Sequence, residues 1–178
     1  MTTVLMIVAA VVTLAVITIL LLAMRKPDIF VVSRTTTIAA SPEKIFPLID
    51  DYQNWGQWSP YEKIDPNMKR TFSGASRGKG SIYEWTGNKN IGHGRMEILE
   101  SSPSSRILIK LDFFTPFEAH NMAEFTLAPV PTGTDVTWQM RGPLPFMAKV
   151  MHTVFNVDRM VGNQFAEGLA SMKAAAEK

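Results

Sequence analysis

The side chains with most chemistry to offer in this 178-residue sequence are three histidines, His93, His120 and His152, and two carboxylates, Glu84 and Asp112, set inside alternating apolar stretches. A metal site needs donors that converge. The histidines fall on separate stretches, with no H-x-x-x-H pair and no glycine-punctuated acidic loop, so no metal is expected. His93, in Gly92-His93-Gly94-Arg95, opens a strand, and His120, in Glu118-Ala119-His120-Asn121, follows a turn. Both are places for a polar group at a cavity mouth, although a locally bonded histidine explains each as well. A buried acid would have a raised pKa suited to general-acid work. Alternation instead points Glu84 and Asp112 away from Tyr83, Trp85, Leu111 and Phe113, onto a wet face where carboxylates form solvated cross-strand pairs. His93, His120 and Glu84 are therefore candidates for an acid or base, and no residue is assigned as catalytic.

Other chemistries are excluded by composition or spacing. There is no cysteine, hence no disulfide, thiolate metal site or cysteine nucleophile. The glycine-rich pieces Gly74-Ala75-Ser76-Arg77-Gly78-Lys79-Gly80 and Gly92-His93-Gly94 have neither the Walker ending nor the third dinucleotide glycine before a helix, and read as hairpin glycines. No G-x-S-x-G elbow precedes a helix. The net charge of +2, from 18 basic and 16 acidic residues, gives no electrostatic case for nucleic acid. A modest basic run, Lys63, Lys69, Arg70, Arg77 and Lys79, is interrupted by Glu62 and Asp65 and reads as a solvated hairpin. No cofactor is expected.

These residues must be positioned by elements whose periods are legible. Val4 to Met24 is uncharged and almost wholly apolar, and at about 1.5 Å per residue it can cross a hydrocarbon core of roughly 30 Å. Arg25-Lys26-Pro27 stands where a signal peptide would want small residues, which favours an anchor. Residues 1–26 are thus expected to form a single-pass transmembrane anchor in the inner (plasma) membrane and 27–178 a domain. The positive-inside rule, applied to Arg25 and Lys26, puts that domain in the cytoplasm.

Ile29 to Ala39 is β-branched and reads as a strand. Ser41-Pro42-Glu43-Lys44 then opens a short helix, followed by a second short helix or structured loop in Asn54-Trp55-Gly56-Gln57-Trp58-Ser59-Pro60-Tyr61. From Met68 to Arg141 about six antiparallel strands alternate dry and wet residues between turns. After Gly142-Pro143-Leu144-Pro145 the period turns helical. Phe146, Met147, Val150, Met151, Val154, Phe155, Val161, Phe165, Leu169 and Met172 predict one long amphipathic helix, with a kink near Gly162. The fold class is α+β: a curved antiparallel sheet of about seven strands wrapped around a long C-terminal helix, a helix-grip fold.

The segments SPEKIFPLIDDYQNWGQWSPYEK, GKGSIYEWTGN, GRMEILESSP, LDFFTPFEAHNMAEFTLAP and GTDVTWQMRGPLPFMAKVM, in that order, resemble the START-like helix-grip superfamily. Within it they are similar to the bacterial polyketide cyclase/dehydratase and lipid-transport branch, labelled SRPBCC. The resemblance spans Phe30 to Ala175 and implies a cavity between sheet and helix. It carries no catalytic residue over. The cavity it implies would be lined by soft, large apolar groups: Tyr83, Trp85, Met96, Phe113, Phe125, Trp138, Met140 and Phe155, with Met122, Met151 and Met160 also inside. Trp55 and Trp58 are expected at its rim, with Tyr61 nearer water. The expected function is a membrane-anchored binding domain for a hydrophobic small molecule (a lipid, quinone or polycyclic compound), as carrier or sensor. The alternatives are a cyclase/dehydratase-type enzyme and a protein-binding assembly or chaperone-type module, for which the sequence names no partner.

Overall fold

Alternation in the middle of the chain folds as a continuous sheet, shown by a computed structural model that describes all 178 residues. The strands are β1 (Ile29–Ile38), β2 (Lys69–Gly74), β3 (Ser81–Thr86), β4 (His93–Ser102), β5 (Arg106–Thr115), β6 (Ala119–Val130) and β7 (Gly133–Pro143). They lie in the order β1-β7-β6-β5-β4-β3-β2, and every neighbouring pair is antiparallel. The six strands after β1 thus form a meander, and β1 closes it by pairing with the last strand. One parity of each central strand is dry: Tyr83 and Trp85, Met96 and Ile98, Ile107 and Ile109, Phe125 and Leu127, Val136 and Trp138 are all buried.

Four helices complete the chain: α1 (Thr2–Met24), α2 (Pro42–Asp50), α3 (Phe146–Val154) and α4 (Val157–Ala176). Pro42 opens α2 at a position where a missing N–H leaves no bond unmade. Two 3₁₀ turns, Tyr52–Gln57 and Pro60–Lys63, form the segment expected as a second short helix or structured loop. Their tryptophans explain the conformation. Trp58 Nε1 donates to Leu48 O at 2.7 Å and Trp55 Nε1 to Ile49 O at 3.0 Å, satisfying carbonyls of the last turn of α2 that have no partner within the helix.

The C-terminal helix is two helices, which corrects the single helix predicted. The break falls at Phe155 and Asn156, six positions before Gly162. Phe155 is extended, and the Asn156 side chain accepts from Arg159 N at 2.9 Å, an N-cap that starts a new helix. Gly162 instead lies beneath the Arg34 guanidinium. Of the two, only α4 covers the sheet, burying Phe165, Leu169, Met172 and Ala176. α3 has no buried residue and packs against α1.

α1 is uncharged, with a mean hydropathy of 3.1 over its best window, and is long enough to cross a membrane. The two hydroxyls in the interior of the helix bond backward along it, Thr13 Oγ1 to Ala9 O at 2.9 Å and Thr18 Oγ1 to Leu14 O at 2.8 Å, so each has a partner within the apolar stretch.

α4 comes close to β7 at Gly168, where a Cβ would stand 2.8 Å from the Trp138 indole and 3.0 Å from Pro60. Gly168→Val is therefore expected to destabilise the full chain in detergent by about 1–3 kcal/mol through overpacking. Ala166→Val, on the exposed side of the same helix, should cost only a few tenths of that through helix propensity. Thermal unfolding followed by near-ultraviolet circular dichroism checks both; equal melting temperatures for the two variants would contradict this packing.

Candidate functional site

Between the sheet and α4 the core is not filled. A cavity of about 250 Å³ remains, and 14 of its 17 lining residues are hydrophobic. β3 supplies Tyr83 and Trp85, β4 Met96, β5 Leu111 and Phe113, β6 Ala123, and β7 Trp138 and Met140. α4 closes it with Val161, Gln164 and Phe165, and the 3₁₀ turns add Trp55, Ser59, Tyr61 and Glu62. The opening exists because the strands curl away from the helix while indoles fix the separation. Phe165 stacks on Trp138 at 4.0 Å, and Trp85 is held by its Nε1–H bond to Ile91 O at 3.2 Å. Gly94, predicted as a hairpin glycine, sits inside β4, where a Cβ would collide with the Trp85 indole. Its absence lets that ring lie flat in the wall.

Of the predicted contact residues, Trp55, Tyr83, Trp85, Met96, Phe113, Trp138 and Met140 come together around the cavity. Trp58 and Phe125 are fully buried behind it, 5.8 Å apart, and support the wall without lining it. Phe155 is a correction. It lies at the break between α3 and α4, half exposed and outside the cavity, because the helix that was expected to carry it inward ends one residue earlier. Met151 and Met160 are likewise exposed, and Met122 sits on the opposite parity from buried Ala123. Tyr61, expected nearer water, is half-buried in the wall, and burial raises its hydroxyl pKa above the ordinary value.

The sequence reading missed the one carboxylate in the wall. Glu62 Oε1 accepts from the Tyr83 hydroxyl at 2.6 Å, and Oε2 accepts from Arg70 Nε at 2.6 Å. Arg70 Nη2 also donates to the Glu62 carbonyl at 3.2 Å. The side chain is only 10% exposed, so the ion pair is shielded and holds the charge in place. Burial, then the bond to Glu62, pushes the Tyr83 phenol well up, and the same carboxylate raises Arg70. Glu62 was legible only as an acid interrupting the basic run, since a residue in a turn has no period to betray which way it points. Beside it Ser59 Oγ is buried with no hydrogen-bond partner. The polar groups of the cavity thus come chiefly from one short stretch, 59–62.

His93, His120 and Glu84 are elsewhere, on the outer face of the sheet. His93 Nε2 lies 3.2 Å from Glu84 Oε1, and His120 Nδ1 lies 2.8 Å from Asp112 Oδ1. None of them lines the cavity. Asp112, predicted as solvated, is buried, its side chain 6% exposed beneath His120 and Lys110. Parity gave its face correctly, but not the cover that two long neighbours provide. No cluster of three metal-type donors occurs.

A family model described as polyketide cyclase / dehydrase and lipid transport matches residues 30–177. No curated protein matches the chain. Among solved structures, protein CV1439 from Chromobacterium violaceum superposes with a TM-score of 0.58 at 16% identity, over 84% of this chain and 99% of that one. The Aha1 dimer from Colwellia psychrerythraea gives 0.57 at 19%, over 83% and 96%. The di-domain ARO/CYC BexL from the BE-7585A biosynthetic pathway gives 0.67 at 16%, over 88% of this chain and 53% of that one. At these identities the likeness is one of fold, the helix-grip arrangement of sheet and covering helix.

The outer-face pair has a defined pH signature. Burial alone would raise the Asp112 carboxyl, but His120 and Lys110 hold it below its ordinary 3.8. The bond to Asp112 raises His120 above its ordinary 6.5. The carboxylate's contribution is lost as pH falls through its depressed value, and the imidazolium's as pH rises through its raised one. The stability difference between the wild type and His120→Asn is therefore expected to be largest near about pH 5 and to shrink as pH climbs past the raised imidazole value. Urea unfolding across that range checks it; a difference independent of pH would contradict the pair.

Proposed function

The chain belongs to the polyketide cyclase / dehydrase and lipid transport family, and on that premise we propose that it binds an apolar small molecule in the cavity between sheet and α4, holding it beside a membrane as carrier or sensor. The observation that carries this reading is the cavity wall, hydrophobic at 14 of 17 positions, with two of its three polar residues, Ser59 and Glu62, in one short stretch. Pockets for small molecules are mostly apolar with a few orienting groups. At about 250 Å³ the space suits a single acyl chain or ring system better than a fused polycycle. A buried hydroxyl without a partner costs about 1–3 kcal/mol. Ser59 Oγ is such a group, so the ligand carries an oxygen that bonds to it. Residues 1–26 serve as the anchor and 27–178 as the binding domain, with Arg25 and Lys26 keeping the domain cytoplasmic. The tether keeps the cavity next to the phase in which apolar ligands dissolve.

Glu62 supports a second reading, an enzyme of the cyclase or dehydratase type. A fixed carboxylate at the edge of an apolar cavity is the acid–base group that proton transfer to or from a ketone needs. Glu62→Gln separates the readings. A carrier keeps its ligand with the amide in place, whereas an enzyme loses turnover of an apolar ketone.

All four tryptophans lie in the core of the domain and none in α1, so intrinsic fluorescence reports on the cavity. A brominated long-chain fatty acid is expected to quench that fluorescence saturably in the full chain, and Ala123→Phe, which fills the cavity, should abolish the effect while the melting temperature is retained. Ser59→Ala should weaken the fatty acid by about threefold to tenfold, the worth of one hydrogen bond, and leave a brominated alkane unaffected. Quenching that is absent, or equal in Ala123→Phe, would contradict the proposal.

A further inference from the structure

α3 is built inside out. Its half-buried residues are Ala148, Lys149, Val150, His152 and Thr153, three of them polar: Lys149 Nζ bonds Asp28 Oδ1 at 2.6 Å, and the His152 ring packs on Phe30 at 5.6 Å. The opposite face is apolar and open to solvent, with Phe146, Met147, Met151, Val154 and Phe155 all exposed, Met147 at 72%. A helix in a water-soluble domain turns the other way round, because apolar area belongs in the core. An apolar face of this extent calls for a cover.

What covers it is indicated by the neighbouring helix. α3 packs against α1, and near that end of α1 Ala23 is buried and Ile19 half-buried while the rest is exposed. Ile19 stands five residues before Met24, so the contact lies within about 8 Å of the end of the helix. Interfacial helices rest with their apolar face about 5–10 Å into the boundary between headgroups and acyl chains. With α1 across the bilayer, α3 is at that depth.

We propose that α3 is an interfacial membrane helix, its Phe146, Met147, Met151, Val154 and Phe155 face inserted into the lipid of the same membrane that α1 crosses. This rests on the anchor reading of α1. It deepens the proposed function, because the first turns of α4, which follow α3 directly, carry the cavity residues Val161, Gln164 and Phe165. The wall of the cavity is thereby held next to the acyl chains, and an apolar ligand passes between lipid and cavity without crossing bulk water. Flexible methionines suit such a surface, since they adapt to lipid and to a passing ligand alike.

The chain has no cysteine, so single labels are clean. The full chain is reconstituted in phosphatidylcholine–phosphatidylglycerol vesicles with a fluorophore at one of three sites: Val12→Cys in the middle of α1, Met151→Cys on the α3 face, or Ala128→Cys, which pairs with Asp135 at the far end of β7. Spin-labelled lipids carrying the quencher shallow or deep in the acyl chain are then added. The expected result is that the Val12 label is quenched by the deep lipid, the Met151 label loses about half its fluorescence to the shallow lipid, and the Ala128 label is unaffected. A quenched Val12 label with an unquenched Met151 label overturns the α3 inference and leaves the anchor standing. An unquenched Val12 label overturns the anchor and the α3 inference with it. A Met151 label that escapes lipid quenching while Met151→Cys chains form disulfide-linked pairs assigns the face to a second copy, which also overturns the proposal.

Discussion

The sheet has one dry face that must be covered, and the contact that fixes the cover is the stack of Phe165 on Trp138, ring centroids 4.0 Å apart and 8° from parallel. Trp138 is the meeting point of three elements. It stacks on Phe125 of the adjacent strand at 5.0 Å and takes Trp58 of the 3₁₀ segment edge-on at 5.5 Å. Aromatic side chains bury about 150–250 Å² each and gain further from these geometries. Gly168 allows the helix backbone to come down onto the same indole. Cover, sheet and connecting turn are thus located against one side chain.

The cavity follows from that constraint. With α4 pinned at Trp138, the strands toward β3 curve away from it, and the space they leave is walled by Trp85, Met96, Phe113 and Met140. Residues that stabilise the domain are therefore the residues that would touch a ligand. The indole N–H groups of Trp55, Trp58 and Trp85 are all bonded to backbone carbonyls, so those edges are occupied and the rings meet the interior with their apolar faces. Glu62 is the exception in charge. Its two partners keep it oriented, at the edge of an otherwise apolar wall.

Much of this was legible because strands and uniformly apolar helices write their environment into a period. The alternation that placed Tyr83, Trp85, Phe125 and Trp138 inward is a direct consequence of a sheet with one dry face. The uniform apolarity of α1 is the signature of a helix with no core to turn toward. What escaped has a common cause: periodicity tells which side a residue takes, not what stands over it. Asp112 was placed on the outer face, yet Lys110 and His120 bury it. Phe155 keeps the helical spacing of its neighbours, and only the Asn156 cap, a local signal, interrupts the helix there. Glu62 sits in a turn with no period at all. Even α3 reads as an ordinary amphipathic helix until the structure shows its apolar face pointing outward.

The chain belongs to the polyketide cyclase / dehydrase and lipid transport family and has the helix-grip fold, and the proposed function places a ligand in its cavity beside the membrane that α1 is proposed to cross. Native mass spectrometry of the full chain, released from its own membrane in gentle detergent, tests this most directly. The account predicts a population carrying one additional apolar, oxygen-containing molecule per chain, lost when collisional energy unfolds the domain. A spectrum of bare chain alone, under conditions in which the fold survives, would contradict it.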